Sequence, residues 1–385
     1  MKAPETKGAS SLLIDDDHYA EQFPLAPIDD YMIHQTPDPV RIAWSSDPRV
    51  YERYWAICHD DVGDVLLVTG GSVYPNLDTA EAFVILNVGG QHVSVRAFRR
   101  LGADRMDMKV GPIEPQIVRG LRHWHYRLGE NERGIRYELD WYDERRQIYH
   151  ASQAPAGTPS PRGRQSDVTA GFEGFGSVEG WIEFDGRRME FDRDHFRGTR
   201  DRHWGVGRGV GGPAFHLGRK LRPGWIGGNW IAFRNFSIWG NTVLYRYGDP
   251  RPGMGRVVET QRRLRFEPDT KIFLEGILDY TLEDGSTKQV HFRRLGQQTA
   301  YMRCGLYGGT PETNVYQGQY VGDDVVEGDR YDLSDPAVRI ALSGLNEHHC
   351  EVTCEGETTT GILQPVEPDA YEVCAAGRPG WSFLE

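Results

Sequence analysis

The densest concentration of groups able to move a proton lies between Asp194 and Gly205. These twelve residues, Asp-His-Phe-Arg-Gly-Thr-Arg-Asp-Arg-His-Trp-Gly, hold two aspartates, two histidines, three arginines and a tryptophan. The segment is too polar for a core strand and too aromatic for an ordinary solvent loop. It reads as a turn between strands that presents acid, base and aromatic groups to a shared cavity. Asp201 and His203 are two residues apart, and on an extended backbone that spacing puts both on one face, with Arg200, Arg202 and Trp204 on the other. An aspartate beside an imidazole positions the ring or shares its proton, the usual arrangement for acid–base work at neutral pH. Asp201 and His203 are therefore the candidate catalytic residues. The structural alternative is an ion-pair corner in which arginines neutralise aspartates and a tryptophan caps a barrel end.

Tryptophans crowd the same half of the chain. Trp181, Trp204, Trp225, Trp230 and Trp239, together with Arg200, are the candidate substrate-binding residues, because indole faces stack on flat ligands and stabilise developing positive charge. Core packing is the alternative for each. Metal ligation has less support. His123-Trp124-His125 places two histidines on one strand face without an evident third ligand, and His348 and His349 are adjacent, so on a strand they point to opposite faces. Gly205–Gly212 is glycine-rich but opens no helix after a parallel strand, and no Gly-x-Ser-x-Gly elbow is present. The expectation is a site with no metal and no cofactor.

Positioning such groups requires a scaffold, and composition bounds it. A chain of 385 residues suits two domains, and its 46 glycines and 22 prolines provide the turns of a protein built from many short strands. The hydrophobic fraction is a modest 38%, so 10 Trp, 18 Tyr and 15 Phe must supply much of the core. A net charge of −12 argues against nucleic acid as the partner. Five cysteines without paired metal spacing favour a reducing compartment. No apolar run reaches the length of a membrane span, and the start of the chain lacks a signal-peptide core, so a cytoplasmic location is expected. A homo-oligomer is compatible with all of this.

Along the chain, residues 1–27 read as an N-terminal arm with at most a short helix near Asp16. Ser46-Asp47-Pro48 offers a cap for one short helix over Arg49–Trp55. The period then becomes two, and Gly89-Gly90 between apolar runs signals a hairpin. Residues 28–152 form the expected first β domain. The Pro-, Gly- and Ser-rich stretch 153–172 is the expected linker or cavity loop, and 173–385 the expected second β domain. The fold class is all-β, as two consecutive small antiparallel barrels or curved sandwiches.

One stretch also carries a family resemblance. Gly198-Thr199-Arg200-Asp201-Arg202-His203-Trp204-Gly205, preceded by the hairpin-like Val178–Gly186, resembles the Asp-x-x-Trp signature of the carotenoid 1,2-hydratase and AttH-like superfamily. Its members pair two lipocalin-like domains and look related to fungal Diels–Alderases of similar build. The likeness spans residues 28–365 in outline, and the block 176–205 is its specific part. It implies two lipocalin-like domains here, and it implies a proton-donating role for an aspartate of the motif such as Asp201. Together with the residues themselves it leads to one expectation: a cofactor-independent lyase or hydratase acting by acid–base chemistry on a hydrophobic aromatic or isoprenoid small molecule. Two alternatives stay open, a non-catalytic lipocalin-like carrier and a pericyclase that folds its substrate into a reactive shape.

Overall fold

The computed structural model describes residues 43–102, 105–152, 168–207, 210, 226–245, 253–307 and 315–385. It is nearly all β. In chain order the strands are β1 (Val50–Asp60), β2 (Val65–Tyr74), β3 (Thr79–Val88), β4 (Gln91–Arg100), β5 (Ile113–Arg119), β6 (His123–Leu128), β7 (Ile135–Asp143), β8 (Ile148–Ser152), β9 (Val168–Phe184), β10 (Arg187–Phe191) and β11 (Phe196–Val206). There follow β12 (Ile226–Ala232), β13 (Phe236–Trp239), β14 (Thr242–Tyr245), β15 (Met254–Phe266), β16 (Phe273–Leu282), β17 (Thr287–Tyr301), β18 (Val325–Glu327) and β19 (Arg330–Asp332). The short helix α1 (Pro336–Leu342), β20 (Asn346–Cys354), β21 (Glu357–Pro365), helix α2 (Asp369–Ala375) and β22 (Trp381–Phe383) complete the described chain.

Two sheets account for these strands. The first runs β18-β4-β3-β2-β1-β11-β9-β7-β6-β5, with β8 and β10 also on β9 and β19 on β4, and it curls into a β-barrel around one core. The second runs β14-β13-β12-β21-β20-β17-β16-β15-β22 as a curled half-barrel with a core of its own. A third apolar layer lies where the sheets face each other, joining Trp55, Ile57, Val68, Ile85 and Phe175 to Trp230, Tyr301 and Ile362. That layer explains a sequence feature. Strand β2 reads Val-Leu-Leu-Val-Thr-Gly-Gly-Ser-Val-Tyr and is buried throughout, because one face lines the barrel and the other the layer between sheets. Strand β16, with only one covered face, alternates instead.

The division expected at 153–172 does not separate the sheets. Residues 153–167 lie outside the described part, but β9 from Val168 onward pairs with β7, and β11 pairs with β1, so the first sheet runs on to Val206. Pro- and Gly-rich composition marks a connection; it does not say whether the strands on either side share a sheet. The second sheet begins only at β12. Later, β18 and β19 return to the free edge of β4, where Arg96 is clamped by Glu327 at 2.9 Å and Asp329 at 2.6 Å.

The helix expected over Arg49–Trp55 is also a strand. Asp47 does act as a cap, accepting the Arg49 backbone N–H at 2.8 Å, but it closes a turn that feeds β1. Val50-Tyr51 and Tyr54-Trp55 are β-branched and aromatic, and pairing with β2 on one side and β11 on the other outweighs the cap. The short helix near Asp16 lies outside the described residues. The hairpin at Gly89-Gly90 is present, with φ of 58° and 78°. All five cysteines are buried, and they form no disulfide with one another. Among the described residues no helix is long and apolar enough to cross a membrane.

Glu81 on β3 shows how much acidity burial stores in this fold. Fully enclosed, it accepts hydrogen bonds from the Tyr74 hydroxyl and, at 3.0 Å, from the Gly318 N–H, yet burial pushes its carboxyl up to about 8. Because the folded value lies above the unfolded one, the native state keeps a proton that the unfolded chain has lost. Its stabilisation is full below the unfolded value, about 4.3, and disappears as pH rises through about 8. The thermal midpoint is therefore expected to fall between pH 5 and pH 8.5. A Glu81→Gln variant should show a shallower decline, by up to about 1.4 kcal/mol per pH unit in unfolding free energy. Equal slopes in the two proteins, measured by urea unfolding across that range, would remove Glu81 from the account.

Candidate active site

Register alone gathers the site. In the pairing of β1 with β11, Arg53 lies opposite His203 and Trp55 opposite Asp201. In the pairing of β11 with β9, His203 lies opposite Gly171 and Asp201 opposite Glu173. Strand β8 continues both rows, with His150 beside Gly171 and Ile148 beside Glu173. Cross-strand partners share a face, so Arg53, His203 and His150 form one row and Trp55, Asp201, Glu173 and Ile148 the next. Gly171 is what lets the first row close up. A Cβ there would stand 2.1 Å from His203 Cδ2 and 2.4 Å from the Arg202 carbonyl oxygen.

The face carrying these rows looks at the second sheet. Trp230 on β12 donates its indole N–H to Glu173 Oε2 at 2.7 Å and lies 5.2 Å from the Trp55 ring. Trp239, the register partner of Trp230 on β13, stacks on His150 at 4.4 Å. Glu347 on β20 adds a third buried carboxyl to the layer and accepts from Gln364 at 2.7 Å.

Hydrogen bonds fix the order of donors. Arg53 Nη2 lies 2.9 Å from His203 Nδ1, and a guanidinium can only donate, so Nδ1 accepts and the ring carries its proton on Nε2. That N–H faces His150 Nε2 at 3.0 Å and Glu173 Oε1 at 3.3 Å. His150 Nε2 is itself 3.2 Å from Glu173 Oε1, and Asp201 Oδ2 is 3.4 Å from His203 Nδ1. One imidazole thus spans two carboxyl groups. Asp201 Oδ1 is buried and has no hydrogen-bond partner among the described residues.

Solvent exclusion sets the charge states. Burial raises Glu173 to about 8, although the Trp230 N–H and Arg53 favour its ionised form. Burial, then the neighbouring Glu173, raises Asp201 to about 8 against the pull of Arg53, His150 and Arg202. His150 moves the other way, down to about 4, chiefly through burial. Near neutral pH the site combines carboxylic acids holding their protons with an uncharged imidazole. His150 Nε2, His203 Nε2 and a Glu173 oxygen all lie within 4.8 Å of one another, the one such group of metal-capable side chains found among the described residues.

A cleft of about 420 Å³ opens between the sheets beside this cluster, and Thr199, Phe175, Trp230, Phe233, Thr360 and Ile362 are among its walls. Thr199 and Phe175 are the next same-face residues along β11 and β9 from Asp201 and Glu173. The Trp230 indole therefore stands between cleft and acids, one side a wall of the cleft and its N–H on Glu173. Replacing it by phenylalanine keeps a ring in place and strips the donor. Trp230→Phe is expected to cost about 1–3 kcal/mol in urea unfolding at neutral pH, as for any buried group left without its hydrogen bond; a loss below about 0.5 kcal/mol would show that the bond contributes little.

Of the residues singled out from sequence, Asp201, His203, Trp230 and Trp239 come together here. Arg200 and Trp204 do not. Both project from the opposite face of β11: Arg200 is bonded to Asp143 at 2.6 Å with its guanidinium between the Trp124 and Phe172 rings, and Trp204 packs near Leu121, Phe172 and Tyr149. Trp181 sits on a distant hairpin with Arg188 over its ring at 4.2 Å. Trp225 lies outside the described residues. Arg53, His150, Glu173 and Glu347 were missed. For Glu173 a signal existed, since one acid within Gly-Phe-Glu-Gly-Phe-Gly breaks an apolar alternation at a place where glycines announce close backbone approach.

Solved structures align with the chain over most of its length. The chain aligns with an AttH-like protein of Nitrosomonas europaea at 12% identity and a TM-score of 0.43, over 84% of this chain and 93% of the other. Kievitone hydratase of Nectria haematococca aligns at 9% identity and a TM-score of 0.43, over 83% and 90%. CghA aligns at 11% identity and a TM-score of 0.41, over 83% and 88%. No curated protein sequence matches the chain. A family model described as a family of unknown function, DUF8625, matches residues 25–247. That match spans more than half of the sequence, and the chain belongs to this family of unknown function, DUF8625.

Proposed function

We propose that this protein is an enzyme of the lyase class that adds or removes water, or cleaves a carbon–carbon bond, by acid–base chemistry on a hydrophobic aromatic or isoprenoid small molecule held between the two sheets. The observation that carries this reading is Asp201 Oδ1, without a hydrogen-bond partner among the described residues and buried next to an imidazole that spans Asp201 and Glu173. A carboxylic acid with a free oxygen in a dry layer is placed to protonate an alkene carbon or a leaving hydroxyl. The proton that Asp201 gives up returns to it from the substrate, either from the water that adds to the cation or from the carbon next to the cation, while His203 at 3.4 Å holds the carboxyl in place. Trp230 and Trp239 supply faces for a flat substrate and for the positive charge that protonation creates.

The test is direct. Purified protein is incubated with extracts rich in aromatic and isoprenoid metabolites, and masses are compared before and after. Loss of one compound with the appearance of a product differing by water or a small carbonyl fragment is the expected result. Retention of a compound at unchanged mass would replace the enzyme by a carrier.

A further inference from the structure

We propose that His150, Glu173 and His203 form a binding site for one divalent first-row metal ion of the zinc type. The inference goes beyond the acid–base reading and does not depend on it. Its basis is a triangle: Nε2 to Nε2 is 3.0 Å, His150 Nε2 to Glu173 Oε1 is 3.2 Å, and His203 Nε2 to the same oxygen is 3.3 Å. For ligands about 2.0–2.1 Å from an ion, the edge of a tetrahedron is about 3.3–3.4 Å and that of an octahedron about 2.9 Å. All three observed edges fall within or beside that interval. Two imidazoles and one carboxylate are a donor set that suits a borderline cation, and three protein ligands leave a position for water.

The surroundings are those of a ligand set held in advance. Glu173 is fixed through its other oxygen by Trp230 at 2.7 Å, and the His150 ring is held flat against Trp239 at 4.4 Å. Gly171 clears the space in which the two rings approach. Access is one-sided: the side chains of His150 and His203 are 27% and 14% exposed, while that of Glu173 is 1% exposed. An ion would therefore enter from the imidazole side. Binding requires no redox step; the Glu173 carboxyl releases its proton to solvent as it becomes a ligand, and His203 loses none. The proton on His203 Nε2 moves to Nδ1, Arg53 gives up its bond there, and Asp201 Oδ2, now 3.4 Å away, becomes the acceptor. A ligating histidine backed by a carboxylate is the outer arrangement that fixes ring tautomer in metal sites.

The experiment uses the full chain, stripped with a chelator, titrated with Zn²⁺ by calorimetry and with Co²⁺ by visible absorption. The expected result is one equivalent bound by the unaltered protein. Glu173→Gln, which keeps an acceptor for Trp230, and His150→Ala, which alters a partly exposed ring, should each weaken binding by about 100-fold or more and abolish the Co²⁺ spectrum. The surface pair His123 and His125, which share Asp140 Oδ1 at 2.7 and 3.2 Å, is the control for casual chelation. A His123→Ala/His125→Ala variant should bind as the unaltered protein does. The proposal is overturned if no equivalent binds, or if the surface variant and not His150→Ala loses the ion. Turnover by the stripped protein would leave the acid–base reading standing whatever the titration shows, and binding without turnover would leave the metal site standing alone.

Discussion

Asp201→Asn is expected to lower turnover by about 10²–10⁴-fold, the usual contribution of a positioned general acid. The amide matches the carboxyl in size, so the contact with His203 is preserved in shape while the transferable proton is gone. Thermal unfolding should change little, because Asp201 Oδ1 has no hydrogen-bond partner among the described residues. The rate is read as disappearance of the consumed compound in the mass-spectrometric assay, with the unfolding midpoint measured alongside. His203→Ala should fall in the same range, since it removes the bridge between the two acids. Full turnover in both variants would end the assignment and return the pair to structural service. A loss confined to tryptophan variants would point to a catalyst that works by shaping its substrate.

The largest effect on stability is expected from Arg200. Its guanidinium makes two bonds to Asp143 Oδ2, at 3.0 and 2.6 Å, in a place where the two side chains are 1% and 0% exposed. Arg200→Met should cost about 3–5 kcal/mol, because it removes one member of a buried ion pair. Adding Asp143→Leu should recover most of that loss, since a well-packed apolar pair often equals a buried ion pair. Urea unfolding of the two single variants and the double variant measures the coupling. Additive losses would mean that the pair is not a unit.

That result would also mark where sequence reading stopped. Strand periodicity was legible, including the consequence that Asp201 and His203 share a face and Arg200, Arg202 and Trp204 the other. The glycine hairpin at Gly89-Gly90 was legible for the same reason, since its signal is local. Which face of β11 meets the second sheet is not local. Arg200 looked like a ligand contact because nothing within ten residues reveals Asp143, its partner 57 positions earlier. His150 and Glu173 escaped notice because they join His203 through registers of β8, β9 and β11 that no spacing encodes. The long Pro- and Gly-rich stretch suggested a boundary, yet the sheet continued through β9 to β11, since pairing partners are chosen by face and register.

The return of β18 and β19 to β4 sets a timetable for the protein's birth. Arg96 reaches Glu327, a partner 231 residues further along the chain. At a synthesis rate of about 5–20 residues per second, the edge of β4 stays open for roughly 10–50 s. An open edge is a template for any passing strand. In that interval the unpaired guanidinium of Arg96, otherwise a buried clamp, is the charge that discourages a second nascent chain from docking there. Strands that emerge only after β17 therefore close the first barrel to emerge.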